Sequence, residues 1–421
     1  MLVELRVRNS FIFNEQIVFS LNADMRNKKF AFNVHKINNF NILKTAGIYG
    51  PNNVGKSCLV KGIQAMKDIL LNEKVNIMSN LFTDNSVCEL GITFLSDGRK
   101  YAYDLKYDEK TAGFVYEKFV EILKDQYGNE KEVLWLEKKH ITQEYYCIDN
   151  QLHSIMPYMS ANNLLCYVID VNKFEYLSKI KNLITSFANK IDVVNMNNIP
   201  MRKTIELMKN NNEFQKKVGT FIKHADLYMD NFEYVSMEKV PCFFDKGRVE
   251  EEVLSMKEDV TDQIRLVSTY KGVSVPSLIF DSTGTKKIAA MASYIIESLE
   301  QGKILVIDEL DSSIHFKLTR AIVAMFNNEL NKDTQLIFTV HDINLMDCKR
   351  LFRKEQIWFV HKDDKSVYVY SLADFTAQQG IRDTTDIIEK YKKGILGALP
   401  DPELIYSLLD LKNNEIHSLV L

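Results

Sequence analysis

The residues best suited to chemistry lie at 47–57, Gly-Ile-Tyr-Gly-Pro-Asn-Asn-Val-Gly-Lys-Ser, where Gly50 and Gly55-Lys56-Ser57 have the spacing of a phosphate loop. Two glycines let backbone N–H groups turn inward around a β-phosphate, and the helix that follows presents its positive end to it. The run expected to touch nucleotide is Gly50, Asn52, Asn53, Val54, Gly55, Lys56, Ser57 and Cys58. Lys56 reaches β- and γ-phosphates in such a loop, and Ser57 ligates Mg²⁺. A second element, Ile304-Leu-Val-Ile-Asp308-Glu309, is an apolar run ending in an acidic pair. A buried strand of this kind delivers its first carboxylate to the metal, so Asp308 is a metal candidate and Glu309 the candidate general base. A third, Thr339-Val340-His341-Asp342, puts His341 at a strand end, where it can sense a γ-phosphate by hydrogen bonding.

These residues need strands to carry them and helices to follow. Strands are expected over 2–8, around Gln16–Leu21 and over Ala46–Tyr49, the last leading into the glycine loop. After Ser57, apolar residues Cys58, Leu59, Ile63, Met66, Ile69 and Leu70 recur at helical spacing. From Val87 to Leu123 the chain reads as strands with turns at Asp97-Gly98 and Asp108–Gly113. Residues 158–232 become Asn- and Lys-rich, with helical periodicity over Phe174–Ala188 and Met201–Ala225. No heptad is sustained there, which excludes a long coiled coil. Short apolar runs at Ile304–Ile307 and Gln335–Val340 fit buried parallel strands, and strands follow at Gln356–Val360 and Val367–Leu372.

The expected division is 1–157 for a first half with the phosphate loop and a β lobe, 158–235 for a helical insertion, and 236–421 for a second half. The fold class expected is α/β: a P-loop head with a mixed or antiparallel β lobe and that insertion.

Composition is that of an ordinary globular chain: 46% hydrophobic and 26% charged residues over 421, with a formal net charge of −3. No apolar run is long enough for a membrane helix. The N-terminus alternates like a strand and lacks the pattern of a signal peptide, so a cytoplasmic location is expected. The six cysteines are scattered without a Cys-x-x-Cys pair, as expected of reduced thiols, and the eight histidines have no zinc spacing. Net charge supplies no electrostatic argument for nucleic acid, which is left as a possible partner.

Phe280-Asp281-Ser282-Thr283-Gly284-Thr285-Lys286-Lys287 precedes the acidic pair by about twenty residues, where ABC-type ATPases keep their signature. This segment resembles the Ser-x-Gly-Thr form of the AAA15 branch of ABC-type ATPases (OLD/RecF/SMC-like). Members of that branch include ATPases of abortive-infection and anti-phage systems of the RloA and PARIS kinds. The resemblance spans nearly the whole chain. It takes in Arg8-Asn9, the phosphate loop, Asp308-Glu309-Leu310-Asp311-Ser312, His341-Asp342-x-Asn344-Leu345, Gln356–Val360 and Tyr391-x-x-Gly394-x-x-Gly397-Ala398. It implies ATP and Mg²⁺ as ligands and a head-to-tail homodimer or higher homo-oligomer formed through the ATP sites. In that arrangement Ser282 and Gly284 of one subunit meet the γ-phosphate held by the other. Asp311 lies at the same interface, and His341 becomes the switch histidine. The chain departs from the family in the last segment, where Gly394-Ile-Leu-Gly397 replaces the usual arginine and tyrosine, and no Q-loop glutamine can be assigned.

Two decoys are set aside. Asn189-Lys190-Ile191-Asp192 matches a guanine-reading motif, but it follows a helical-looking segment and precedes the acidic pair, so adenine is expected. A metal nuclease fused in cis would need an Asp-x-Asp pair after His341, and residues 342–421 contain none. Lys44, Lys56, Lys61 and Lys67 read as a mostly solvated face. The resulting expectation is a sensor or regulatory ATPase of an anti-phage system that controls a separately encoded, nearby effector such as a Toprim nuclease. The alternative is a repair or recombination ATPase of the RecF/SMC type.

Overall fold

The computed structural model describes residues 1–125, 128–158, 162–168, 173–225, 228–241, 258–363, 366–382 and 385–399. The first part of the chain forms β1 (Leu2–Arg8), β2 (Ile17–Ser20), the hairpin β3 (Val34–Ile37) and β4 (Phe40–Leu43), and β5 (Thr45–Tyr49). The β lobe continues with β6 (Val87–Ser96), β7 (Arg99–Asp108), β8 (Gly113–Lys124), β9 (Glu130–Lys139) and β10 (Glu144–Cys147). The remainder supplies β11 (Ile191–Asn195), β12 (Asn231–Tyr234), β13 (Leu266–Tyr270), β14 (Val273–Pro276), β15 (Ile304–Asp308), β16 (Gln335–Thr339), β17 (Ile357–Lys362) and β18 (Val367–Ser371). The principal helices are α1 (Lys56–Leu70), α2 (Glu175–Ala188), α3 (Arg202–Asn210), α4 (Asn212–His224), α5 (Thr283–Gln301) and α6 (Phe316–Phe326).

Two large sheets organise the chain. The antiparallel lobe runs β10-β9-β8-β7-β6-β1-β2, and the central sheet runs β11-β15-β16-β5-β17-β18. The central sheet is parallel except where β18 pairs with β17. Its middle strands are apolar on both faces because both are covered. Ile304 and Val306 of β15 face one core with α1, α2 and the antiparallel lobe, while Leu305 and Ile307 face the other with α5 and α6. This is the α/β head expected, with its antiparallel β lobe.

Three details differ from the sequence reading. The stretch 158–235 is not helical throughout: it holds β11, which pairs in parallel with β15 and places Asn195 opposite Asp308. The run Met201–Ala225 is two helices rather than one, because the Asn211 side chain accepts from the N–H groups of Glu213 and Phe214 and starts α4 anew. Lys44 and Lys56 are buried, not solvated. Lys44 lies at the other end of β5, donates to the Asn328 carbonyl at 2.7 Å, and is brought down to about 8 by desolvation.

The Gly394–Ala398 segment packs into the second core. Tyr391 and Tyr370 donate to the carbonyls of Ala398 (2.5 Å) and Leu396 (2.7 Å), and Leu396 and Ala398 are buried there. Its role within the chain is therefore to close one face of the sheet. Five cysteines are free thiols, and Cys242 lies outside the described residues. Among the described residues no helix is long and apolar enough to cross a membrane.

Candidate active site

β5 ends at Tyr49 and α1 begins at Lys56, so residues 50–55 must reverse the chain in six residues. Gly50 and Gly55 have φ of 151° and 112°. A Cβ on Gly50 would stand 2.3 Å from the Val360 carbonyl oxygen, and one on Gly55 would stand 2.2 Å from Ile12 Cδ1. Both positions therefore favour glycine for their conformation, and Gly50 also for space, because the atom it would meet is backbone. Asn53 also has a left-handed φ of 59°, which asparagine tolerates better than most residues. Lys56 folds back over the loop and donates to the carbonyls of Gly50 and Pro51, each at 2.7 Å. Desolvation brings its ammonium down to about 8, against the opposing pull of Asp308, Asp311 and Glu309.

β15 lies beside β16, and β16 beside β5, so the acidic strand end comes out next to the phosphate loop. Asp308 is buried and both of its oxygens are engaged. Ser57 Oγ (3.1 Å) and Thr339 Oγ1 (2.6 Å) donate to Oδ1, and Asn195 Nδ2 donates to Oδ2 at 2.9 Å. Thr339 Oγ1 also accepts the Glu309 N–H at 2.7 Å, which fixes the turn after the strand. Glu309 is half-buried, has a left-handed φ of 57°, and accepts from Asn197 Nδ2 at 2.5 Å. Such a backbone conformation costs about 1–3 kcal/mol in a non-glycine residue and persists only where neighbours enforce it.

Asp311 accepts the N–H groups of His341 (2.9 Å) and Asp342 (2.7 Å) through Oδ2, tying the two strand exits together. His341 itself is exposed. The oxygens of Ser57 and Asp308 fit magnesium: two adjacent ligands of an octahedral ion with bonds of 2.0–2.1 Å lie about 2.9 Å apart.

The signature segment occupies a different corner. Ser282 caps α5 by accepting the Thr285 N–H at 3.1 Å, and Ser282 and Thr283 are exposed. Behind them Asp281 is buried and accepts from Ser268 (2.6 Å), Ser277 (2.6 Å) and Tyr270 (2.8 Å). The cap is thereby fastened to β13 and to the short helix Ser277–Phe280. Among the described residues no hydrogen bond joins Ser282 or Gly284 to the phosphate loop of the same chain.

The structure thus brings together Gly50, Lys56, Ser57, Asp308 and Glu309, with Asp311 and His341 beside them; Ser282 and Gly284 make no hydrogen bond to the phosphate loop, and Gly284 packs against the Ser313 carbonyl of the loop after β15. The sequence reading missed Asn195, Asn197 and Thr339. The signal for the asparagines was the short apolar alternation Ile191-Asp-Val-Val-Asn ending opposite Asp308. Asp192 of the guanine-motif decoy lies within β11 and pairs with Lys203 and Lys303, both at 3.2 Å, which supports setting that motif aside.

Residues 204–347 match the family model described as "AAA domain, putative AbiEii toxin, Type IV TA system". The match covers the signature, the acidic pair and His341, while the phosphate loop lies before it. No curated protein matches the chain. Among solved structures it is similar to "SMC head domain from Thermotoga maritima", with 11% identity over 88% of this chain and 98% of that one and a TM-score of 0.41. It is also similar to an SMC head bound to the C-terminal winged-helix domain of ScpA, with 11% identity over 90% and 99% and a TM-score of 0.44.

Proposed function

We propose that the chain binds ATP with magnesium between its phosphate loop and the end of β15 and hydrolyses it to ADP and phosphate. The observation that carries this reading is the 3.1 Å contact between Ser57 Oγ and Asp308 Oδ1, which joins the two motifs across 251 residues of sequence. In the reading, Lys56 exchanges its bonds to Gly50 and Pro51 for the phosphates. Ser57 and Asp308 hold the hydrated cation, and Thr339 and Asn195 keep the carboxylate aimed. When bound, the metal neutralises charge on the phosphate oxygens. Glu309 takes the proton of the attacking water, and His341 contacts the γ-phosphate. The exposed Ser282 and the half-buried Gly284 complete the site of a second copy, which makes the active form a homodimer or higher homo-oligomer.

The biological reading is a sensor or regulatory ATPase of an anti-phage, abortive-infection system of the RloA or PARIS kind. It would control a separately encoded effector such as a Toprim nuclease. The family model's own description names a "putative AbiEii toxin, Type IV TA system", and neither a sensor role nor a separate effector.

Magnesium-dependent phosphate release that disappears in Lys56→Ala tests the enzymatic reading; bound ATP with no release from the parental chain contradicts it. Co-purification with the products of neighbouring genes tests the second, and a chain recovered without them counts against it.

A further inference from the structure

The loop after β15 is tied to α5 by bonds that hydrolysis alone does not require. Lys287 Nζ, in the first turns of α5, donates to Ser312 Oγ at 3.0 Å and Ser313 Oγ at 3.2 Å. Ser312 Oγ donates to Asn197 Oδ1 at 2.6 Å, and Asn197 Nδ2 donates to Glu309 Oε2 at 2.5 Å. Each intermediate group both accepts and donates, so the bonds run one way from ammonium to carboxylate and polarise one another.

Gly284 adds an independent constraint. A Cβ there would lie 2.6 Å from the Ser313 carbonyl oxygen, so the start of α5 and this loop touch through their backbones. Glu309 and Ser313, at the two ends of the loop, both have left-handed φ, 57° and 64°. The loop is thus strained at both ends and pressed against the helix.

We propose that Asn197 and Lys287 are positioning residues that hold the Glu309 carboxylate to the start of α5, so that the base answers to whatever engages Ser282 and Gly284. The proposal rests on the ATPase reading and names the partner as a second nucleotide-loaded copy of this chain. The route to Glu309 is within one subunit: engagement of the signature end of α5 moves Lys287 and Ser313, and the bonds through Ser312 and Asn197 carry the shift to the carboxylate.

The test is steady-state phosphate release for the parental chain, Asn197→Ala, Lys287→Ala and Lys287→Arg. A base that has lost its positioning lowers kcat and leaves substrate binding alone, so kcat falls by roughly tenfold in Asn197→Ala. Lys287→Ala lowers it by less, Lys287→Arg restores it, and KM stays within about twofold of the parental value in all three. Parental kcat in Asn197→Ala, or a change carried by KM, overturns the proposal and leaves the ATPase reading intact. A parental chain that binds ATP and releases no phosphate overturns both.

Discussion

Around Asp308 the polar groups are answered from within the chain, whereas at the start of α5 the hydroxyls are exposed and Ser282 serves only its own helix. The difference follows from burial. A carboxylate placed among apolar strands must have its hydrogen bonds made beforehand, since each one missing costs about 1–3 kcal/mol. Ser57, Thr339 and Asn195 meet that requirement and, in doing so, preset the oxygens that a metal would use. The signature corner has the opposite construction: its anchoring is behind it, in Asp281, and its front faces water. One corner is finished in a single copy, and the other is presented to something outside it.

The largest expected effect breaks the finished corner. Lys56→Ala removes the cation nearest the phosphates, and calorimetric titration is expected to detect no ATP binding; tight binding in that variant would contradict the assignment. Next, Asp281→Ala strips three hydroxyls of their shared acceptor and should lower stability by about 2 kcal/mol, read from denaturant midpoints. ATP affinity of the single copy should stay within about twofold while turnover falls, because only the presented corner is disturbed. A matching loss of affinity would show that the two corners are not separable.

The smallest effect is in pH. Lys56 loses its proton near 8 in the free protein, and bound phosphate holds that proton to higher pH. Affinity for ATP should therefore fall as pH rises above about 8, by at most tenfold per unit. The stability of the free protein has the opposite slope, because the unfolded lysine keeps its proton to about 10.5 and so binds more protons in that window. Titrations and denaturation curves between pH 7 and 10 check the two signs together.

Most of the finished corner was legible in the sequence, because its parts are rigid local signals: glycines where φ must be positive, and apolar runs that only a doubly covered strand explains. The second carboxylate environment was not. Asn195 ends and Asn197 follows a five-residue edge strand embedded in Asn- and Lys-rich helices, where a strand gives too few residues to stand out against a helical period. Lys44 looked solvated because lysines usually are, and only the fold shows its ammonium at the Asn328 carbonyl. Asp281 read as part of a motif, yet its partners are hydroxyls 4–13 residues earlier that periodicity cannot pair with it.

The central claim is that the acidic end of β15 performs hydrolysis on nucleotide held by the phosphate loop. Single-turnover phosphate release from Glu309→Gln, with bound nucleotide measured in the same samples, addresses it most directly. The account predicts ATP bound as in the parental chain and hydrolysed at least about a hundredfold more slowly. Release at the parental rate would contradict it, since Glu309 would then not be the base.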